Sequence, residues 1–180
     1  MGPGGGTVFY VSTGFTESGT ACNTSCRYLE AAPTTGTNAW TDLSSNWSAI
    51  TNQSVGTTSE LLGYGKQNTQ AMYTQSSSAG YPAALSIGYR GPNNYSDWFV
   101  PSLNEFVEMG KAKKILGFKP TPALTPAQPG YWTSSEPATN SASKATWFLV
   151  GNLGFQSPNK SAATDGGGTV PVYSRAIRAF

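Results

Sequence analysis

The sequence predicts an α+β fold. Two observations carry this. The chain opens on a β-branched and aromatic run, Thr7-Val8-Phe9-Tyr10-Val11-Ser12, directly after a glycine run, and this reads as a strand. The middle then carries helical patterning, and the C-terminal part returns to apolar, aromatic runs separated by polar loops. Strand, strand, two helical segments and a strand-rich, loop-rich half make an α+β order. At 180 residues, with no internal repeat, the expected organisation is a single domain over residues 1–180.

Each element has a local reason. Arg27 to Ala32 is the returning strand, stopped by Pro33, which places the segment Cys22-Asn23-Thr24-Ser25-Cys26 near the hairpin tip. Thr34 to Thr58 is polar, with Trp40 and Trp47 as the anchors that hold a long loop down. Gly65 to Gln75 reads as a helix with a short apolar face at Ala71, Met72 and Tyr73. Pro82 opens a second short helix through Ile87, since proline is tolerated in a first helical turn. Ser102 to Leu116 is the clearest helix. Ser102 is its N-cap, and Glu105 completes a capping box. Leu103, Phe106 and Val107 share a face, Glu105 and Glu108 lie early, and Lys111, Lys113 and Lys114 lie late, as the helix dipole favours. Gly117 fits the C′ position. Lys119 to Pro129 carries four prolines and reads as a loop. Tyr131–Thr133 and Ala145–Val150 read as strands. Asp165-Gly166-Gly167-Gly168 marks a turn before a final strand within Val170–Phe180.

Composition narrows the function classes. The chain has 11 basic and 9 acidic residues and no histidine. It therefore lacks the commonest general base and metal ligand, and a net charge of +2 does not argue for nucleic acid. Its Ser, Thr, Asn and Gly, dotted with Trp and Tyr, suit an extracellular loop-heavy domain or a binding surface, although polar residues also simply solvate loops. No stretch is long and apolar enough to span a bilayer, so no membrane insertion is expected. No signal peptide is visible. Met1-Gly2-Pro3-Gly4-Gly5-Gly6 reads as a methionine before an excised domain, so an export signal is expected upstream of it.

The chemistry-bearing motifs are few. Cys22 and Cys26 fit a small-loop disulfide in an exported chain. A zinc site would need two more ligands, and a redox pair usually has two intervening residues. Gly63-Tyr64-Gly65-Lys66 superficially matches a phosphate loop, but Gln67 stands where a Ser or Thr belongs. Lys111, Lys113, Lys114 and Lys119 form a basic cluster. It reads either as a polyanion contact or, more simply, as helix-dipole partners on a solvated face. Asn23, Asn46, Asn52, Asn94 and Asn159 begin Asn-x-Ser/Thr triplets, which arise readily in a Ser- and Asn-rich chain. No Ser–base pair or carboxylate cluster is evident, so no enzyme and no cofactor are expected. Trp132 and Trp147 read as core. The surface candidates are their outward neighbours and the loops: Thr133, Ser135, Asn140, Lys144, Asn152, Phe155, Gln156 and Asn159.

Two separated pieces carry a family resemblance. One is Asp97-Trp98-Phe99-Val100-Pro101-Ser102. The other begins at Tyr131-Trp132-Thr133-Ser134-Ser135-Glu136 and closes on Arg175-Ala176-Ile177-Arg178. With Gly65-Lys66-Gln67-Asn68-Thr69 between them, they resemble the DUF1566 family, related to the C-terminal domain of collagen-like surface adhesins. The resemblance implies a C-type lectin-like fold with paired N- and C-terminal strands. It also implies an extracellular or cell-surface recognition domain whose C-terminal loops bind a glycan or protein ligand. Calcium-dependent sugar binding in that superfamily uses a Glu-Pro-Asn loop and a Trp-Asn-Asp strand. Here Ala138 follows Glu136-Pro137, and Phe148-Leu149 follows Trp147. Oxygen ligands are thereby lost, calcium-independent binding is expected, and Glu136 is expected to cap or brace the loop after Trp132. The formylglycine-generating branch needs a C-terminal cysteine pair, whereas both cysteines here lie near the N-terminus. Some relatives of this fold are targets of diversity-generating retroelements. The alternative reading is an assembly module of a surface layer, filament or phage particle, which would be a homo-oligomer.

Overall fold

The structure, a computed structural model, describes residues 1–56, 59–119, 130–151, 153–162 and 171–180. The fold is α+β. Strands β1 (Thr7–Glu17) and β2 (Asn23–Ala31) form the opening hairpin, followed by helices α1 (Gly65–Gln75), α2 (Pro82–Gly88), α3 (Leu103–Lys111) and α4 (Lys113–Leu116). Strands β3 (Gly130–Trp132), β4 (Trp147–Leu149), β5 (Gly154–Gln156), β6 (Val172–Tyr173) and β7 (Ile177–Ala179) complete the order. They form two sheets, β1-β2-β7 and β5-β4-β3-β6. The helices read at 65–75, 82–87 and 102–116 all form, and the last is split at Ala112, so the described residues hold four helices rather than two helical segments. The proline-rich segment 120–129 and the turn at Asp165–Gly168 lie outside the described residues.

The terminal strands share a sheet but do not pair directly, because β2 lies between them. Leu29, Glu30 and Ala31 of β2 face Ala179, Arg178 and Ile177 of β7. The hairpin takes one edge of β2 and leaves the other for the C-terminus. Register shifts along β1 bend that strand, which disfavours continuing the ladder on its far side. The expected final strand is also two strands. Val172–Tyr173 joins β3 in parallel, Ile177–Ala179 joins β2, and Ser174-Arg175-Ala176 crosses between the sheets. The break lies where the Arg175 side chain turns inward.

The capping box forms as read: Ser102 Oγ accepts from Glu105 N–H, and Glu105 Oε2 accepts from Ser102 N–H at 2.8 Å. Ala112 interrupts the helix between α3 and α4, and Gly117 takes the left-handed conformation at φ 56°. Phe106 is the hub of the main core, tilted against Phe118, Tyr131 and Phe148 with ring centroids 5.2–6.0 Å apart. Trp40 and Trp47 do anchor the long loop. Their indole N–H groups donate to Ser174 O at 2.9 Å and Thr133 O at 2.8 Å. The disulfide Cys22–Cys26 is formed.

Asp42 and Arg175 are buried and paired. Arg175 Nε donates to Asp42 Oδ1 at 2.6 Å and Nη1 to Leu116 O at 3.0 Å, while the Tyr131 hydroxyl donates to Asp42 Oδ2 at 2.7 Å. Burial, together with the adjacent Asp42 charge, pushes the Tyr131 phenol well above its usual range. One ion pair thus ties the long loop, the end of α4 and the C-terminal crossover together. Arg175→Met leaves Asp42 buried without its cation and is expected to cost about 3–5 kcal/mol in urea unfolding. A cost under about 1 kcal/mol would mean that water replaces the arginine.

Candidate functional site

Five of the eight predicted surface residues, Asn140, Lys144, Phe155, Gln156 and Asn159, lie on one two-stranded arm. β4 and β5 pair Trp147 with Gln156, Phe148 with Phe155 and Leu149 with Gly154. The ladder continues outward as Ala145 N–H donates to Pro158 O at 3.2 Å, Lys144 bridges Asn159, and Lys160 N–H donates to Ser143 O at 2.8 Å. Asn140 begins the turn that starts the arm. It adopts φ 59°, and its carbonyl accepts from Ser143 and Lys144 N–H, both at 3.0 Å. Phe155 is 60% exposed although its partner Phe148 is fully buried, so the arm carries an aromatic face from core to solvent. Gln156, Asn140 and Asn159 are exposed and Lys144 is half-buried. Leu153 is 43% exposed at φ 59° and approaches Gly110 of α3, where any side chain would collide with Phe148.

Thr133 and Ser135 do not belong to this surface. Both are fully buried. Thr133 Oγ1 donates to Thr146 O at 2.8 Å, and Ser135 Oγ donates to Ser59 O at 2.9 Å while accepting from Leu103 N–H at 3.1 Å. Strand alternation predicted an outward direction, but β3 ends at Trp132 and the chain then passes beneath the start of α3. Asn152 lies outside the described residues.

A buried ion pair at the base of the arm escaped the sequence reading. Lys160 is fully buried, pairs with Glu136, and donates to Gln53 O at 2.7 Å while its ammonium lies 4.7 Å from the centroid of the Trp47 ring. Glu136 also accepts from Ser54 Oγ and Val55 N–H, each at 2.9 Å. Glu136 was expected to cap or brace the loop after Trp132; it instead braces the loop at Ser54–Val55, with a lysine that nothing in Asn159-Lys160-Ser161 sets apart from a solvated one.

The glycine loop before α1 holds carboxylates of the protein itself. Glu105 Oε1 accepts from Gly63 N–H at 2.8 Å and Gly65 N–H at 3.4 Å, and Glu17 Oε1 accepts from Lys66 N–H at 2.9 Å. A side chain at Gly65 would overlap Glu105 and Phe99. Glu17 is fully buried and its Oε2 meets no N–H or O–H donor. Burial first, then the adjacent Glu105 carboxylate, pushes the Glu17 carboxyl up to about 11, so Glu17 holds its proton. Burial lowers Lys66, against the pull of Asp97 and Glu17.

Two lysines of the basic cluster are engaged within the protein. Lys111 pairs with Glu108 at 2.5 Å, and Lys113 Nζ donates to Gly151 O at 2.8 Å and Val150 O at 3.3 Å, tying α4 to the arm's turn. These two lysines thus serve the helix and the arm. Among the described residues no group of three His, Cys, Asp or Glu side chains could hold a metal ion, and no helix is long and apolar enough to cross a membrane. No family model matches the chain, and no curated protein matches it.

Two outcomes follow from the buried charges. The folded chain keeps the Glu17 proton, which the unfolded chain releases near pH 4.5, so this group's stability is full below that pH and is lost as pH rises toward about 11. Glu17→Gln keeps the shape and removes the titration. Its unfolding free energy should therefore fall less steeply between pH 6 and 9, by up to about 1.4 kcal/mol per pH unit. Lys160→Met should cost about 3–5 kcal/mol by stranding Glu136, and adding Glu136→Gln should recover much of it in a double-mutant cycle.

Proposed function

We propose that this chain is a non-enzymatic recognition domain of C-type lectin-like type. It works outside the cell and binds a glycan or protein surface through the β4–β5 arm. The observation that carries the reading is the arm itself. An exposed Phe155 stands among Gln156, Asn159, Asn140 and Lys144, on a base fixed by buried tryptophans and the Lys160–Glu136 pair. An aromatic face with neighbouring amides supplies contact area and adaptable hydrogen bonds, and a rigid base limits the entropy lost on binding. The arm's sequence holds no acidic residue between Glu136 and Asp165, and Glu136 is committed to Lys160, the Ser54 hydroxyl and the Val55 amide. A calcium ion needs charged oxygen ligands, so binding by the arm is calcium-independent. The disulfide supports an exported protein.

A second reading is assembly into a surface layer, filament or particle. It is favoured by Phe155 in β5 and Leu153 just before it, exposed apolar side chains on a strand that ends its sheet. Light scattering separates the two, since recognition predicts a monomer at micromolar concentration and assembly a defined multimer.

The test is a glycan array and a panel of cell-surface proteins, probed with calcium and with chelator. Phe155→Ala is expected to weaken any ligand found by about thirtyfold, the scale of an aromatic hot spot, with the melting temperature unchanged. Gln156→Ala and Asn159→Ala should weaken it less. Ligand binding untouched by all three, or lost in chelator, would contradict the proposal.

A further inference from the structure

The tip of the β1–β2 hairpin joins the disulfide to the buried carboxyl pair. Glu17 is the last residue of β1, its cross-strand partner Asn23 lies inside the Cys22–Cys26 loop, and Phe15 pairs with Cys26 itself. Asn23 is held at φ 47°, in the left-handed region. Thr20 Oγ1 donates to the main-chain carbonyl of Glu17 at 2.7 Å and lies 3.3 Å from Cys22 Sγ, so one hydroxyl ties the disulfide to the Glu17 backbone. On the other side, consecutive amides of Gly65 and Lys66 hold Glu105 Oε1 and Glu17 Oε1 side by side. Glu17 Oε2 is buried and without a donor, and burial beside the Glu105 carboxylate keeps the Glu17 carboxyl protonated.

We propose that the Cys22–Cys26 disulfide is a redox latch on this carboxyl pair: closed, it keeps Glu17 seated between Glu105 and the start of α1, and opened by a dithiol, it releases the hairpin tip and hydrates Glu17. Cys22 is half-buried and Cys26 is fully buried, so the attacking thiolate meets Cys22 Sγ. The second thiol of the reagent then resolves the mixed disulfide. Two electrons and two protons pass from the dithiol to the cystine, one S–S bond breaks, two S–H bonds form, and the reagent leaves as its cyclic disulfide. Glu17 faces Glu105 from α3 and Lys66 from α1, with Asp97 and Arg90 beyond Lys66. The only other ionisable side chains at the tip are the two cysteines, which titrate only once reduced. When the tip opens, Glu17 ionises, so reduction in this protein releases a proton that an ordinary disulfide does not.

The experiment equilibrates the protein with reduced and oxidised dithiothreitol between pH 5.5 and 7.5, where thiols on both sides stay protonated. An uncoupled disulfide gives an exchange constant independent of pH in this range. The latch predicts that the wild-type constant shifts toward reduced protein by close to tenfold per pH unit, and that the Glu17→Gln constant stays flat. A merely structural Glu17 would change the constant's size without giving it a slope. Should Glu17→Gln fail to fold, the urea-unfolded wild-type chain supplies the flat baseline. A flat wild-type constant, or a slope retained in Glu17→Gln, overturns the proposal.

Discussion

Buried carboxylates that accept backbone amides are the constraint on which the rest of this structure depends. Glu17, Glu30, Asp42, Glu105 and Glu136 are buried, more than half of the chain's nine acidic residues. Long irregular segments leave backbone N–H groups without ladder partners, and a buried N–H must be satisfied. Here the acceptors are side chains brought from afar. Glu30 takes the amides of Gly4 at 2.8 Å and Gly6 at 3.1 Å, Glu105 takes those of Gly63 and Gly65, and Glu136 takes that of Val55. The glycines are part of the device, because a Cβ at Gly4 or Gly65 would occupy the space of the carboxylate it contacts.

Cations complete these sites where the charge would otherwise stand alone. Arg178 donates to Glu30 at 3.0 Å and to Asp97 at 2.5 Å while lying over the Tyr95 ring, Arg175 serves Asp42, and Lys160 serves Glu136. These pairs specify position more than they add stability, because burying them costs desolvation that their attraction only partly offsets. Their effect on function is positional. The Lys160–Glu136 pair fixes the arm to the loop at Gln53–Val55, and Phe106 against Phe148 fixes it to α3. The exposed side chains of the arm are thus carried on a rigid scaffold.

Local features of this fold were legible in the sequence and distant ones were not. The capping box needs only Ser102 and Glu105, three residues apart, and it forms as read. The same glutamate also takes the Gly63 and Gly65 amides, from forty residues away, and no local pattern reveals that. Helix α1 was readable, but its start has no side-chain cap of its own and relies on Glu17 and Glu105 instead. The exposure of Asn140, Phe155, Gln156 and Asn159 was legible because polar loop residues around an unaccounted aromatic stay at the surface, while Lys144 is half-buried. Thr133 and Ser135 were misplaced because alternation was carried past the end of β3. The break in the last strand escaped because Arg175 is drawn in by Asp42, a partner 133 positions away.

Native-state hydrogen exchange tests the central claim most directly. If buried carboxylates hold the loops as firmly as ladders hold the strands, the amides of Gly4, Val55 and Gly63 will exchange as slowly as those of Leu29 and Phe148. If those loop amides exchange as fast as Gly14, whose surroundings are open, the carboxylates do not anchor the loops.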